Sequence, residues 1–107
     1  MWNVDPRFLC QRHIGGEHVE CHMMVGCINK NMSMKGYIVK GLTEIHNIRS
    51  RHDELATEMT RRGYNHKSPL PEFKSWTEGN VNTLENIEEL KRRCPECKKR
   101  IEAICNR

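Results

Sequence analysis

Apolar residues along the chain fall into three stretches of helical spacing, separated by polar or Gly/Pro-rich connectors. The clearest stretch is residues 42–62, where Ile45, Ile48, His52, Leu55 and Met59 step by three and four into one continuous stripe. Arg49, Arg51, Asp53, Glu54 and Glu58 take the other faces, and Gly63 stands where a left-handed residue ends a helix. A first helix is expected over residues 5–27. Asp5 would cap it, Pro6 suits its first turn, and Leu9, His13, Val19, Met23 and Cys27 keep rough helical spacing. Gly15 and Gly16 interrupt this pattern at about 1 kcal/mol each, which predicts a kink or a close approach by another backbone. Residues 29–36 read as a mostly polar connector.

A third helix is expected from near Thr83, with Leu84, Ile87 and Leu90 on one face. Pro95 should break it and open a short last segment over residues 95–105. Residues 64–80 contain Ser-Pro-Leu-Pro and few periodic apolar positions, so they read as an ordered loop. No strand pattern of any length is present. The expected fold is therefore all-α, a compact single-domain bundle of about three main helices with long connecting loops, spanning residues 1–107.

Composition narrows the class. Apolar residues make up 36% and charged residues 30%, a balance suited to a thin core in which the six methionines fill space. No run of 18 apolar residues exists, so no transmembrane helix is expected. The opening Met-Trp-Asn-Val-Asp-Pro has neither a basic nor an apolar leader region, so no secretory signal is expected. Six cysteines in that context point to reduced thiols inside a cell, and hence to the cytoplasm (a bacterial host's, if the chain is phage-encoded).

The net charge of +4 permits a polyanionic partner without demanding one. Its distribution says more. Residues 91–107 form a basic, Cys-containing C-terminal segment in which Lys91, Arg92, Arg93, Lys98, Lys99, Arg100 and Arg107 face only Glu96 and Glu102. Such a segment can track phosphates or simply be a solvated helix face.

Two motifs carry candidate chemistry. In residues 13–22, Glu17 and Glu20 are three apart, while His13 and Glu17, and His18 and His22, are four apart, so each pair lies near one helical face. The segment reads as a solvated polar face, a proton-transfer site or a metal site. It is not the His-Glu-x-x-His of zinc proteases, because the Glu is displaced by one position. The second motif, Cys94-Pro95-Glu96-Cys97, has the form of one zinc knuckle, in which a tight turn aims two thiolates at one ion. Zinc wants four ligands. Cys105 follows at a plausible interval, and the fourth would be a His or come from a second subunit. A pair of plain reduced thiols and a redox pair are the other readings. Cys10, Cys21 and Cys27 suit small core positions, His52 a core or boundary position, and Trp76 near Phe73 a loop anchor.

Gly36-Tyr37-Ile38, then Arg51, Leu55 and Glu58, then Arg62-Gly63-Tyr64-Asn65, resemble the central block of the phage pyrimidine-dimer DNA glycosylase (UV endonuclease) family. That block has Gly-His-Val, a helix with Arg, Leu and Glu at these intervals, and Arg-Gly-Phe-Asn at its end. His13, Glu17 and Glu20 fall where the family has His-x-x-x-Glu-x-x-Glu, and Trp2, Pro6 and Glu20 keep the intervals of a bacterial branch. The matches cover residues 2–65.

The resemblance implies a small helical enzyme, needing no cofactor for catalysis, that binds distorted double-stranded DNA and flips a base out of the stack. It implies N-glycosylase activity with AP-lyase activity on damaged or modified pyrimidines. The N-terminal amine would attack the sugar, a single Glu would support the transition state, and β-elimination would follow. An α-amine is far less basic than a lysine, so part of it is neutral and nucleophilic near neutral pH. A carboxylate facing an oxocarbenium-like centre stabilises charge where it develops.

Carried onto this chain, the catalytic set is Met1, Glu20 and His13, with His13 orienting the substrate or the Glu. Met1 is the expected nucleophile because Trp2 is too bulky for removal of the initiator residue. The family's Arg before the catalytic Glu is Val19 here, and its Arg three residues after is Met23. Arg7, Arg12, Arg92, Arg93, Lys98 and Lys99 are therefore the expected DNA-binding residues. Cys94 and Cys97 are the expected ligands of a structural zinc, if one is held. The alternative is a non-catalytic DNA-binding module on the same scaffold, with that zinc.

Overall fold

The computed structural model describes residues 1–65 and 69–105. The element order is a 3-10 turn Pro6–Phe8, α1 Gln11–Asn29, α2 Lys35–Val39, a second 3-10 turn Ile45–Asn47, α3 Ile48–Arg61, α4 Thr83–Arg93 and α5 Pro95–Cys105. No strand occurs among the described residues, so the all-α class holds. The expected count of about three main helices is low. Among the described residues four helices of 11 residues or more are present, because the short last segment expected over residues 95–105 is a helix as long as α4. Among the described residues, no helix is long and apolar enough to cross a membrane.

The expected first helix is two elements. Asp5 does cap, its Oδ1 accepting the Arg7 N–H at 3.0 Å, but it caps only a single 3-10 turn. Leu9 and Cys10 are then extended (ψ 134° and 170°), which re-aims the chain before α1 begins. Gly15 and Gly16 sit inside α1, which runs uninterrupted to Asn29. A Cβ at either would meet nothing within 4 Å, so no neighbouring backbone requires them. The connector expected over residues 29–36 gives way to α2. It ends at Gly41 (φ +68°), where the Leu42 N–H bonds the Tyr37 carbonyl at 2.9 Å and closes the last turn.

The strongest stripe behaves as its spacing predicts. Ile45, Ile48 and Leu55 are fully buried, His52 nearly so, and Gly63 (φ +86°) ends the helix. α3 starts later than residue 42 because Glu44 is extended, with the Ile45 N–H donating to the Glu78 carbonyl at 3.0 Å. This stripe packs on Ile14, Cys21, Met24 and Val25 of α1, which are also sealed from solvent. Each large apolar side chain so buried contributes about 1.5–3 kcal/mol.

The expected loop at residues 64–80 has no regular structure where it is described. Residues 66–68, and with them the Ser of Ser-Pro-Leu-Pro, lie outside the described residues, as does Arg107 of the basic segment. Gly79 (φ +98°) passes so close to Thr43 that a Cβ there would lie 2.2 Å from its carbonyl oxygen. Asn82 caps α4 by accepting the Glu85 N–H at 3.1 Å. Leu90 faces the core, whereas Leu84, expected beside it, is 75% exposed. α5 folds back on α4 and against the Pro6–Phe8 turn, so the C-terminal hairpin braces the N-terminal segment.

Candidate active site

Three segments far apart in sequence meet at the α-amine of Met1. The Met1 side chain is buried and anchors the terminus. Its amine is ion-paired with Glu20 Oε1 on α1 and donates to the Leu42 carbonyl at 2.8 Å. Glu20 is itself half-buried, with about a third of its side chain open to solvent. Leu42 can accept there because Gly41 turns the chain out of α2, after which Gly79 passes close over Thr43 and the Ile45 N–H bonds the Glu78 carbonyl. The Asn86 amide of α4 also reaches this segment, donating to the Trp2 carbonyl at 2.8 Å.

The N-terminal segment is fixed from below by a buried ion pair. Arg51 Nε lies 2.5 Å from Glu17 Oε2 and Nη2 2.9 Å from Glu17 Oε1, with both side chains sealed from solvent. The same guanidinium donates to the Val4 carbonyl at 2.5 Å and pairs with Glu54. Burial opposes the charge on Arg51, but these carboxylates hold its pKa above the usual value. Glu17 also accepts the Asn3 N–H at 3.4 Å. Asn3 is left-handed (φ +56°), which lets the chain turn over α1 there.

A second clamp sits at the end of α3. Glu58 pairs with Arg61 (2.6 Å) and Arg62 (2.7 Å), and Arg62 donates to the carbonyls of Pro6 and Leu9 at 3.1 and 2.8 Å. The Arg61 bond, with those of Arg62, lowers the Glu58 pKa to about 2. Arg51 and Glu58, which the sequence put on solvent faces, are thus interior. The N-terminal segment covers that side of α3.

His13 and Glu20, expected to act together, face different partners. His13 Nδ1 is 3.1 Å from Cys10 Sγ and 3.5 Å from Cys97 Sγ, and Cys10 Sγ is 3.9 Å from Cys94 Sγ. All four donor atoms lie within 4.8 Å of one another, an arrangement that could hold a metal ion. Burial, then the charges of Arg12 and Arg93, lower the His13 pKa and favour neutral imidazole. Burial raises the Cys97 thiol to about 12. At Cys94 burial works against the thiolate, yet hydrogen bonds from Cys97, Cys10 and Glu96 bring the pKa below its usual value.

Cys94 and Cys97 were legible as half of such a site. Cys105 is exposed and lies outside the cluster, and Cys10, expected as core filling, lies inside it. The signal that would have found the other half is Cys10-x-x-His13, which repeats the two-residue gap of Cys94-x-x-Cys97. A second convergence, of His18, His22 and His52, brings three rings within 4.8–5.0 Å of one another.

Of the expected DNA-binding residues, Arg7 is bound by Asp5, and Arg92 and Arg93 both pair with Glu89. Lys98 lies 4.0 Å from Glu102, while Arg12 and Lys99 are exposed. Four of these six side chains thus have a carboxylate partner, and two are open to solvent. Val19 and Met23, on either side of Glu20, are 65% and 46% exposed. A hollow of about 320 Å³ lined by Ser33, Gly36, Tyr37, Lys40 and Leu42 adjoins the amine through Leu42. A larger groove of about 750 Å³ lies elsewhere, against Cys10, Arg12 and Gly15, and does not include Glu20 or Leu42.

An all-helical frame that brings an α-amine onto a half-exposed carboxylate, beside a hollow lined by Tyr37 and Lys40, defines a small protein with an amine–carboxylate site. The family model described as pyrimidine dimer DNA glycosylase matches residues 1–72, more than half of the chain. The chain belongs to this family of DNA glycosylases, whose work is DNA repair and whose substrate is DNA. The matched span contains Met1, Glu20 and Leu42 and ends before α4. No curated protein and no solved structure gives a significant match.

Proposed function

We propose that the chain is an N-glycosylase with AP-lyase activity on damaged or modified pyrimidines in double-stranded DNA, with the Met1 α-amine as nucleophile and Glu20 as its partner. The observation that carries this reading is the contact of that amine with Glu20 and with the Leu42 carbonyl. Glu20 takes the proton that the ammonium must lose, and the freed nitrogen attacks C1′ of the flipped nucleotide. The glycosidic bond breaks and its electron pair leaves with the base, which takes up a proton. A second N–H proton passes by way of Glu20 to O4′ as the sugar ring opens and the C1′=N imine forms. Removal of a C2′ proton then expels the 3′ phosphate. A carboxylate at this point also stabilises the positive charge that builds on C1′.

Val19 and Met23 flank Glu20 as exposed apolar side chains, so contact with the distorted strand beside the lesion is apolar where the family uses Arg. Phosphate contacts fall to Lys40 beside the hollow and to Arg7, Arg12, Arg92, Arg93, Lys98 and Lys99. His13, expected in the catalytic set, drops out of the proposed chemistry because its ring nitrogen faces sulfur. A structural zinc at Cys94 and Cys97 is compatible with this reading and with its alternative.

The test is borohydride reduction in the presence of duplex DNA carrying one abasic site. A covalent adduct mapping to the Met1 nitrogen, formed by the unmodified protein, is the expected result, with turnover abolished in Glu20→Gln. If salt-dependent duplex binding is found with no adduct and no strand cleavage, the chain is the non-catalytic DNA-binding module instead.

A further inference from the structure

The geometry points to a closed, four-ligand zinc site made by Cys10, His13, Cys94 and Cys97, which fastens the C-terminal helical hairpin to the segment that carries the Met1 amine. The site stands on the donor geometry alone and does not depend on the glycosylase reaction.

Zinc bound at about 2.3 Å to sulfur and about 2.0 Å to nitrogen sets tetrahedral ligand atoms roughly 3.8 Å apart for two sulfurs and roughly 3.5 Å for sulfur and nitrogen. The Cys10–Cys94 separation is 3.9 Å, and His13 Nδ1 lies 3.1 and 3.5 Å from the sulfurs of Cys10 and Cys97. These distances enclose one ion with shifts of a few tenths of an ångström. The widest separation, within 4.8 Å, needs a contraction of about 1 Å.

The surroundings fit a metal-bound thiolate set. The Cys10 N–H points at Cys97 Sγ (3.3 Å), and the Cys97 N–H points at Cys94 Sγ (3.4 Å). Backbone N–H groups aimed at sulfur stabilise negative charge there. Three thiolates and one neutral imidazole around Zn²⁺ leave a net charge of −1, and Arg12 and Arg93 lie close enough to act electrostatically on His13. Binding releases the three thiol protons to solvent and requires no oxidant. A redox pair is the weaker chemistry, since the thiols of Cys94 and Cys97 are 2% and 0% exposed and an exchange partner must reach sulfur. With four protein donors no position is left for water, so the ion is structural rather than catalytic.

The placement decides its role. Cys10 and His13 bracket the start of α1, while Cys94 and Cys97 bracket the start of α5. Around this clasp the Arg100 Nε–H donates to the Arg7 carbonyl at 2.9 Å, and the Trp2 ring meets His13 edge-on at 5.9 Å. The ion would hold in register the segment on which the amine sits.

Elemental analysis of the purified full chain should give one zinc per chain. Cobalt substitution should give tetrahedral d–d bands with intense thiolate-to-cobalt charge transfer. Chelation should lower the thermal midpoint by about 10 °C or more and expose three previously protected thiols to a thiol reagent. Cys10→Ser should lose the metal and Cys105→Ser should keep it. His13→Cys, which preserves four donors, should retain the metal with stronger charge transfer, guarding against a variant that simply fails to fold. A folded wild-type chain that takes up no zinc, or Cys10→Ser and His13→Ala variants that hold it as tightly as the wild type, would overturn the assignment. None of these readouts uses DNA, so their failure is separate from failure of the borohydride trap.

Discussion

Removing the guanidinium at Arg51 should be the most damaging single substitution in the α1–α3 interface. Arg51→Met keeps most of the volume but deletes the bonds to Glu17, Glu54 and the Val4 carbonyl. The Glu17 carboxylate would then be buried, its side chain sealed from solvent, with only the Asn3 N–H at 3.4 Å for company. Breaking a buried pair in this way costs about 3–5 kcal/mol, against a total of roughly 5–15 kcal/mol for a domain of this size. At about 4 °C per kcal/mol, the thermal midpoint should fall by roughly 12–20 °C.

The cause is the orphaned charge rather than lost packing, so a second substitution separates the two. In Arg51→Met with Glu17→Gln the buried group is neutral, and the double variant should recover about 2 kcal/mol relative to Arg51→Met alone. Urea denaturation of the wild type, both singles and the double gives the coupling directly. If Arg51→Met costs less than about 1 kcal/mol, or the double variant loses the full sum of the singles, then the pair is not what fixes the N-terminal segment.

Other outcomes follow from the same geometry. The Glu58 pKa is held at about 2, below its ordinary 4.5, so its pairing stabilises the fold fully above about pH 4.5 and loses that contribution as pH falls toward 2. After screening through the exposed Arg61, the amount is about 1–2 kcal/mol; Glu58→Gln should flatten that part of an acid-denaturation profile, and an unchanged profile counts against the pairing. Gly79→Ala combines a left-handed backbone with a Cβ 2.2 Å from the Thr43 carbonyl oxygen, so it should cost more than about 2 kcal/mol in chemical denaturation. A single Gly placed ahead of Met1 moves the amine one residue away from Glu20 and should cut borohydride trapping at least ~100-fold while leaving the far-UV spectrum alone. Undiminished trapping would move the nucleophile to another amine.

What the sequence revealed depended on how local the determining contacts are. The α3 stripe and its Gly63 terminus were legible because one amphipathic surface and one left-handed residue are set within a few turns of chain. The division of residues 5–27 into a 3-10 turn and a helix was not, because Leu9 and Cys10 are held extended by partners as distant as Arg62 and Cys97. Arg51 and Glu58 read as solvent-facing for the same reason, since the covering segment comes from residues 4–9.

At the candidate site, Met1 and Glu20 came from family resemblance and meet in space. Nothing in periodicity pointed to the Leu42 carbonyl, which is a backbone group with no sequence signature. The knuckle at Cys94 and Cys97 was legible because its turn is local. Its completion by Cys10 and His13 spans 84 residues, and only the repeated two-residue gap hinted at it.

That span has a consequence for the order in which the molecule is made. Cys10 and His13 leave the ribosome early, whereas Cys94 and Cys97 follow only after α1, α3 and α4 have been synthesised. A nascent chain that has reached residue 72 already carries Met1, Glu20 and Leu42, yet lacks two of the four donors and the Asn86 amide that bonds Trp2. The contacts that fix the Met1 segment are therefore completed only when α4 and α5 have been made.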